Sequence, residues 1–387
     1  MKKYLFVLGR DPLLSIAEIF VFLKSRNISF RLTAKENDAV LIESDLNPEI
    51  IEKLGGTVKI AEMFFEGNSL KEIEEQVNKK ELIEWMNQKF SYAISFFGKE
   101  LEETTKAEEF FKKKFKETKK KALYKKHKGK KFGSSPTQVH SLNLIREESD
   151  FVFFNSGKIF FGKTVSCFNP KEMKERDIGR PAQNKLSSVS LRLARILINL
   201  TGVKENQTLL DPFCGIASVS QEAMFKGINT IGIELKEETA GMARKNLEWF
   251  EKKYKTGKTW KIIQGDSAYI KETLQGKGFD AVASEPYLGP LLKRNPREYE
   301  AKKIISELEE LYSAFFRKLA MIVKKQGIVI ILPEIECSNG KKIGLSEKVF
   351  SKNFRIVNPV PEMQIFPYYY MEKESIITRK IYLLEKF

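Results

Sequence analysis

The chain has 387 residues, enough for two or three domains at about 150 residues each, and its 42% hydrophobic and 30% charged content excludes a disordered chain. No run approaches the roughly 18 uncharged apolar residues of a membrane span, and MKKYLFVLGR meets Arg10 and Asp11 too early for a signal peptide, so a cytoplasmic protein without a membrane partner is expected. Three scattered cysteines (Cys167, Cys214, Cys337) and two histidines (His127, His140) exclude a disulfide framework, a CxxC zinc site and a serine-hydrolase triad, so no metal is expected. Chemistry is left to carboxylates, backbone groups and a borrowed cofactor.

Residues 1–65 open with a strand, KKYLFVLG, and a helix, LLSIAEIFVFLKSR, started by Asp11-Pro12. AVLIES reads as a second strand, DLNPEIIEKLGG as a short helix closed by glycines, and VKIAEMFFE as another strand, together a small α+β module. Residues 66–168 continue with a polar helix, the strand FSYAISFFG and a lysine-rich helix. GSSPTQVHSLNLI follows, and then FVFFNSG and KIFFGKTVSCF, a hairpin turning at Asn-Ser-Gly-Lys. Residues 169–188 are poor in large apolar residues and read as a linker.

From Val189 the pattern alternates helix and strand: SLRLARILINLTG, TLLDPF, ASVSQEAMFKG, NTIGIEL, KEETAGMARKNLEWFEKKY, KIIQGD, FDAVASEP, a long helix from EYEAKK, GIVIILPE and a terminal KIYLLEK. Such alternation implies parallel crossovers and a doubly wound α/β sheet over residues 189–387.

Positive charge is concentrated. The net excess of Lys and Arg over Asp and Glu is 16, with a pI near 9.4, the balance of a protein that meets a polyanion. Residues 112–131 alone hold twelve lysines and one acid, Glu117. This segment suits phosphate contacts through Lys119, Lys120, Lys121, Lys125, Lys126, Lys128, Lys130 and Lys131; the competing reading is a solvated helix face. Gln138 and His140 are further candidates for polyanion contact, with a hydrogen-bonded structural role as the alternative.

The candidate chemistry lies at strand ends. The first α/β strand runs into Asp211-Pro212-Phe213-Cys214-Gly215-Ile216-Ala217-Ser218, where Gly215 lets a ligand approach the backbone and the loop opens a helix. Glu234 ends the next strand, 23 residues after Asp211, where an acid accepts from ribose hydroxyls. Asp266, followed by Ser267, ends the third and can accept from an adenine amine. The fourth ends in Ser284-Glu285-Pro286-Tyr287, an acid and carbonyls for an amino group beside an aromatic face for a base. Singly, each reads as a strand-end acid, a helix cap or a core aromatic; in order and at this spacing they read as one cofactor crevice.

DPFCGIAS, IGIEL, GD and SEPY resemble motifs I to IV of class I S-adenosylmethionine-dependent methyltransferases, and DPFCG is most like RNA methylases. GRPAQNKLSSVSLRLARILINL, SSPTQVHSLNL and YLFVLGRDPLLSIAEI are similar to segments of the THUMP-domain tRNA guanosine N2-methyltransferases. The resemblance implies a Rossmann-like methyltransferase domain preceded by α+β ferredoxin-like (1–65) and THUMP (66–168) modules, with S-adenosylmethionine as cofactor and tRNA as partner. It implies that Asp211, Pro212, Cys214 and Gly215 line the methionine part, Glu234 the ribose and Asp266 the adenine, with Phe213, Ala217 and Ser267 also at the cofactor, and that Ser284 to Tyr287 hold the target guanine. Family members modify N2 of guanosine 10. The usual GxG carries Ala217 as its second residue. The usual Asp-Pro-Pro-Tyr or Asn-Pro-Pro-Tyr is SEPY, in which either Ser284 or Glu285 stands for the acid; the carboxylate of Glu285 is the better acceptor for a guanine amine. An amino-directed methylase acting on another base, and a non-catalytic RNA-binding protein on the same fold, remain alternatives, and the need for a small activator subunit stays open.

Overall fold

Alternating and continuous apolar runs in this sequence form two sheets, each in its own compact unit: Met1–Ile16 with Asn27–Glu175, and Ala17–Arg26 with Arg176–Phe387. The computed structural model describes residues 1–79, 86–101, 104–126, 133–183, 189–323, 327–360, 362–371 and 375–387.

From the amino terminus the chain order is β1 (Lys2–Leu8), α1 (Pro12–Ser25, which groups with the second unit from Ala17 on), β2 (Phe30–Lys35), β3 (Ala39–Ser44), a 3-10 turn (Pro48–Lys53), β4 (Thr57–Gly67), α2 (Leu70–Lys79) and β5 (Lys89–Gly98). It continues with α3 (Thr104–Glu117), β6 (Lys121–Tyr124), α4 (Pro136–Ser141), β7 (Asp150–Asn155), β8 (Ile159–Cys167) and α5 (Pro170–Ile178). One eight-stranded sheet, ordered β2-β3-β1-β4-β8-β7-β5-β6, carries residues from both 1–65 and 66–168. The antiparallel pair β4 and β8 is its centre, and there only glycine fits at position 162, since a Cβ would lie 1.9 Å from the Glu62 carbonyl oxygen. Phenylalanines fill one face: Phe111 and Phe151 stack at 4.6 Å, and Phe115 meets Tyr92 at 4.8 Å. On the same sheet Lys59, buried, reaches Asp150 at 2.9 Å and the Ser134 hydroxyl at 2.8 Å, and the Ser134 and Thr164 hydroxyls both donate to Asp150, so the buried charges are paired and bonded.

The structure differs from the sequence reading in three places here. FRLTAK forms β2, an edge strand whose half-exposed alternation carries a weak apolar signal. The lysine-rich helix stops at Glu117, and Lys121–Tyr124 leaves it to pair parallel with β5. Within the stretch read as a linker, the helix α5 forms with Met173 buried and Arg176 paired with Glu222 at 3.3 Å, and just beyond its end Arg180 donates to Ser218 at 2.6 Å.

The second unit contains α6 (Leu191–Leu200), β9 (Thr208–Asp211), α7 (Ser218–Phe225), β10 (Asn229–Glu234), α8 (Glu237–Tyr254), β11 (Trp260–Gln264), a 3-10 turn (Ser267–Tyr269), α9 (Ile270–Leu274), β12 (Ala281–Ser284) and α10 (Glu298–Ile322). Then come β13 (Ile328–Glu336), β14 (Lys342–Gly344), β15 (Phe354–Ile356), β16 (Tyr368–Tyr370) and β17 (Ile377–Lys386). The sheet runs β11-β10-β9-β12-β13-β17-β15, parallel from β11 to β13 and antiparallel at β17, with β14 and β16 attached to β13 and β17. Ile328 to Ile331 are fully buried, as expected of a strand covered on both faces. The chain steps from β9 outward through β10 to β11, then returns to the other side of β9 for β12. The β9/β12 junction is therefore the topological switch point, where a crevice opens at the carboxyl ends of the strands.

Candidate functional site

At the switch point the last residues of β9 and β12 meet. The Ser284 hydroxyl donates to Asp211 Oδ1 at 2.6 Å, and the Phe213 amide donates to the same oxygen at 3.3 Å. Asp211 is buried, and desolvation pushes its carboxyl up to about 7, with Glu234 and Glu285 adding repulsion against bonds that oppose the shift.

The turn after β9 is held by its own backbone and by packing. Cys214 donates its amide to Ile233 at 2.9 Å, and its side chain fills the space over Gly232, where a Cβ would come within 2.8 Å of the sulfur. Burial raises this thiol well above the ordinary range, in keeping with its packing role over Gly232. Gly215 has φ +51 and nothing within 4 Å of where a Cβ would stand, which leaves its backbone open to a ligand. Ala217, at the second glycine position, adopts the left-handed conformation at φ 71 and ψ 36, and its methyl is buried in the core around α7 and α8.

Glu234, at the end of β10, closes on this turn: one carboxylate oxygen accepts from the Gly215 amide at 3.2 Å and the other from the Lys236 amide at 3.0 Å. Asp266, half-buried beyond β11, caps the following 3-10 turn by accepting from Ala268 at 2.8 Å. The hydroxyl of Ser267 is committed to the Pro212 carbonyl, so it ties the third strand end to the first. Beyond β12, Pro286 is buried, whereas Tyr287 is 57% exposed and its carbonyl accepts from the Tyr312 hydroxyl at 2.8 Å. Tyr287 is thus an open aromatic face and not a core residue.

Asp211, Gly215, Glu234, Asp266, Ser284 and Glu285 therefore come together at one edge of the sheet. Two residues at this edge were not anticipated from the sequence. Arg379, on β17, donates to Glu285, and Tyr269, 60% exposed, follows Asp266. The sequence carries no clear signal for Arg379, one of two adjacent cations, with Lys380, at the start of the terminal strand, and its part emerges only once β17 is known to lie beside β13.

The candidate RNA-contacting residues lie in the first unit. Lys119, Lys121 and Lys126 are exposed and Lys125 is half-buried, at the α3–β6 edge of the sheet; Lys126 also pairs with Glu108 at 3.3 Å. Lys120 departs from this row: it is buried, and its ammonium donates to the Met86 carbonyl. Gln138 forms a capping box with Ser135, and exposed His140 lies 3.1 Å from the Phe168 carbonyl. Lys128, Lys130 and Lys131 fall outside the described residues. Among the described residues no helix is long and apolar enough to cross a membrane, and no group of three or more His, Cys, Asp or Glu is placed to hold a metal ion.

Comparison with known proteins agrees with this geometry. A family model described as RMKL-like, methyltransferase domain, matches residues 179–339, and one described as DNA methylase matches residues 19–245. The chain is similar to the tRNA (guanine(10)-N2)-dimethyltransferase of Pyrococcus abyssi, 27% identical over 323 residues, 82% of this chain and 87% of that one. It is also similar to the enzyme of the same name from Methanocaldococcus jannaschii, 28% identical over 186 residues, 44% of this chain and 51% of that one. Among solved structures, TrmN from Thermus thermophilus covers 100% of both chains with a TM-score of 0.53 at 12% identity, a likeness of fold.

Proposed function

The chain belongs to the DNA methylase family, and on that footing we propose that it is an S-adenosylmethionine-dependent tRNA methyltransferase that modifies the exocyclic N2 of a guanosine, at position 10 by analogy with its relatives. The observation that carries this reading is the meeting of Asp211, Gly215, Glu234, Asp266 and Glu285 at the switch point of a parallel sheet. The residues fit the cofactor. Gly215 offers open backbone, Glu234 and Asp266 offer acceptors for ribose hydroxyls and an adenine amine, and Asp211, its charge disfavoured by burial, gains from a cationic neighbour. When bound, the cofactor supplies a methyl group already activated by a sulfonium, so positioning outweighs acid–base work.

This chain's own residues would then act on the base. Tyr287 presents the face on which a flipped guanine stacks. Glu285 accepts a hydrogen bond from the amine and leaves the nitrogen lone pair less delocalised into the ring. Ser284, committed to Asp211, braces the junction, so Glu285 takes the acceptor role.

We assign residues 1–65 and 66–168 to ferredoxin-like and THUMP modules that grip tRNA, 169–188 to the connection and 189–387 to the methylase, with the cytoplasm as location. The exposed lysines at the α3–β6 edge support this division. The test is transfer of labelled methyl to unmodified tRNA by the chain alone, followed by nucleoside analysis. N2-methylguanosine or its dimethyl form is expected, and would also dispense with an activator subunit. Label in adenosine or in duplex DNA would move the target, and failure to bind the cofactor would favour a non-catalytic RNA-binding protein.

A further inference from the structure

We propose that Arg379 is a positioning residue for methyl transfer: it aims the Glu285 carboxylate at the amine of the target base. The inference rests on Glu285 being the acceptor in the proposed function. Arg379 sits on β17 opposite Pro333 of β13, and β13 lies between β17 and β12, so its side chain crosses a strand to reach the end of β12. Its Nε donates to Oε1 of Glu285, and the two side chains are only 13% and 10% exposed. The neighbouring cation is engaged elsewhere: Lys380 lies 3.6 Å from Glu334 and over the Tyr369 ring.

Two physical demands converge on this contact. Glu285 stands among acids, since its charge and that of Glu234 both act on buried Asp211, and a carboxylate in such surroundings needs a cation to stay ionised. A glutamate also has one more torsion than the short acid that the resembling motif carries, and that freedom must be removed for the carboxylate to hold one orientation. A guanidinium that donates through Nε to the carboxylate answers both demands, and it does so with a planar, directional donor that lysine lacks.

The experiment compares wild type, R379M, R379K, R379A and the double variant E285Q/R379M. For R379M the expected result is a fall in kcat of at least about 30-fold, with the dissociation constants for S-adenosylmethionine and tRNA within about twofold of wild type. R379K should recover part of the loss, and added guanidinium ion should raise the turnover of R379A. The double variant should be no slower than E285Q alone, which also covers the case in which R379M folds poorly because it strands a buried charge. A second readout is independent of activity: the NMR titration of the Glu285 carboxyl carbon should shift to higher pH by about one unit or more in R379M, where Asp211 of β9 and Tyr312 of α10 face the carboxylate without Arg379. Unchanged kcat in R379M, or additive losses in the double variant, would overturn the positioning role while the methyltransferase reading stands. Absence of methyl transfer by wild type would overturn that reading, and the titration alone would then decide whether Arg379 holds Glu285.

Discussion

Asp211 and Tyr287 stand at opposite extremes of solvation in the same crevice, and their substitutions should separate stability from turnover. Burial raises Asp211 from the ordinary 3.8 to about 7. The folded chain thus holds a proton that the unfolded chain releases, so this group favours folding below about pH 4, and its contribution is lost as pH rises to about 7. Urea unfolding of wild type and Asp211→Asn from pH 4 to 8 should show the wild type losing more stability across that window; parallel curves would mean that Asp211 is ionised in the folded state. Tyr287, more than half exposed, should behave in the reverse way. Tyr287→Ala is expected to change stability by no more than about 0.5 kcal/mol and to lower kcat by at least tenfold with tRNA affinity retained, measured by thermal melting and single-turnover methyl transfer. Equal losses of affinity and turnover would remove it from base stacking.

At the scale of elements, the lysine run is divided by the fold. Sequence periodicity carries it as one helix, but α3 ends at Glu117 and β6 begins at Lys121, with Lys119 in a left-handed turn at φ 54 between them. The turn buries Lys120 and leaves Lys119 and Lys121 exposed on either side of it. Replacing Lys119, Lys121 and Lys126 with glutamine should reduce the slope of log affinity for tRNA against log salt by up to about one unit for each phosphate no longer neutralised. Lys120→Gln should leave the slope unchanged and lower the melting temperature instead, because it abandons the Met86 carbonyl. A full loss of slope from Lys120→Gln with no loss of stability would place that residue on the RNA side. The elements that escaped the sequence reading are short or weakly patterned: β14, β15 and β16 have three residues each and exist through pairing with β13 and β17.

For the whole molecule, the second unit is discontinuous in sequence. It includes Ala17–Arg26, where buried Glu18 accepts from Asn199 at 2.6 Å and Lys226 lies 5.3 Å from the Phe22 ring. A fragment comprising residues 176–387 lacks this segment and exposes the α6 surface that it covers. It is expected to unfold at lower urea than the second unit does within the full chain, as read by circular dichroism and by loss of S-adenosylmethionine binding. A fragment as stable as the parent would show that the segment contributes little.

The sequence by itself determined the alternating α/β pattern from Val189 onward, the β7–β8 hairpin and the order of the acidic strand ends, because helix and strand periods and turn chemistry are local properties of the chain. It also placed Asp211, Glu234, Asp266 and Glu285 at spacings consistent with one crevice. Only tertiary structure decided which of these groups are committed to one another: Ser284 to Asp211, Ser267 to Pro212 and Glu285 to Arg379, a residue 94 positions away. The same holds for the single sheet shared by residues 1–65 and 66–168, and for Ala17–Arg26 grouping with the second unit. These outcomes depend on which surfaces meet across long stretches of chain, where packing, pairing and burial select partners that no local pattern encodes.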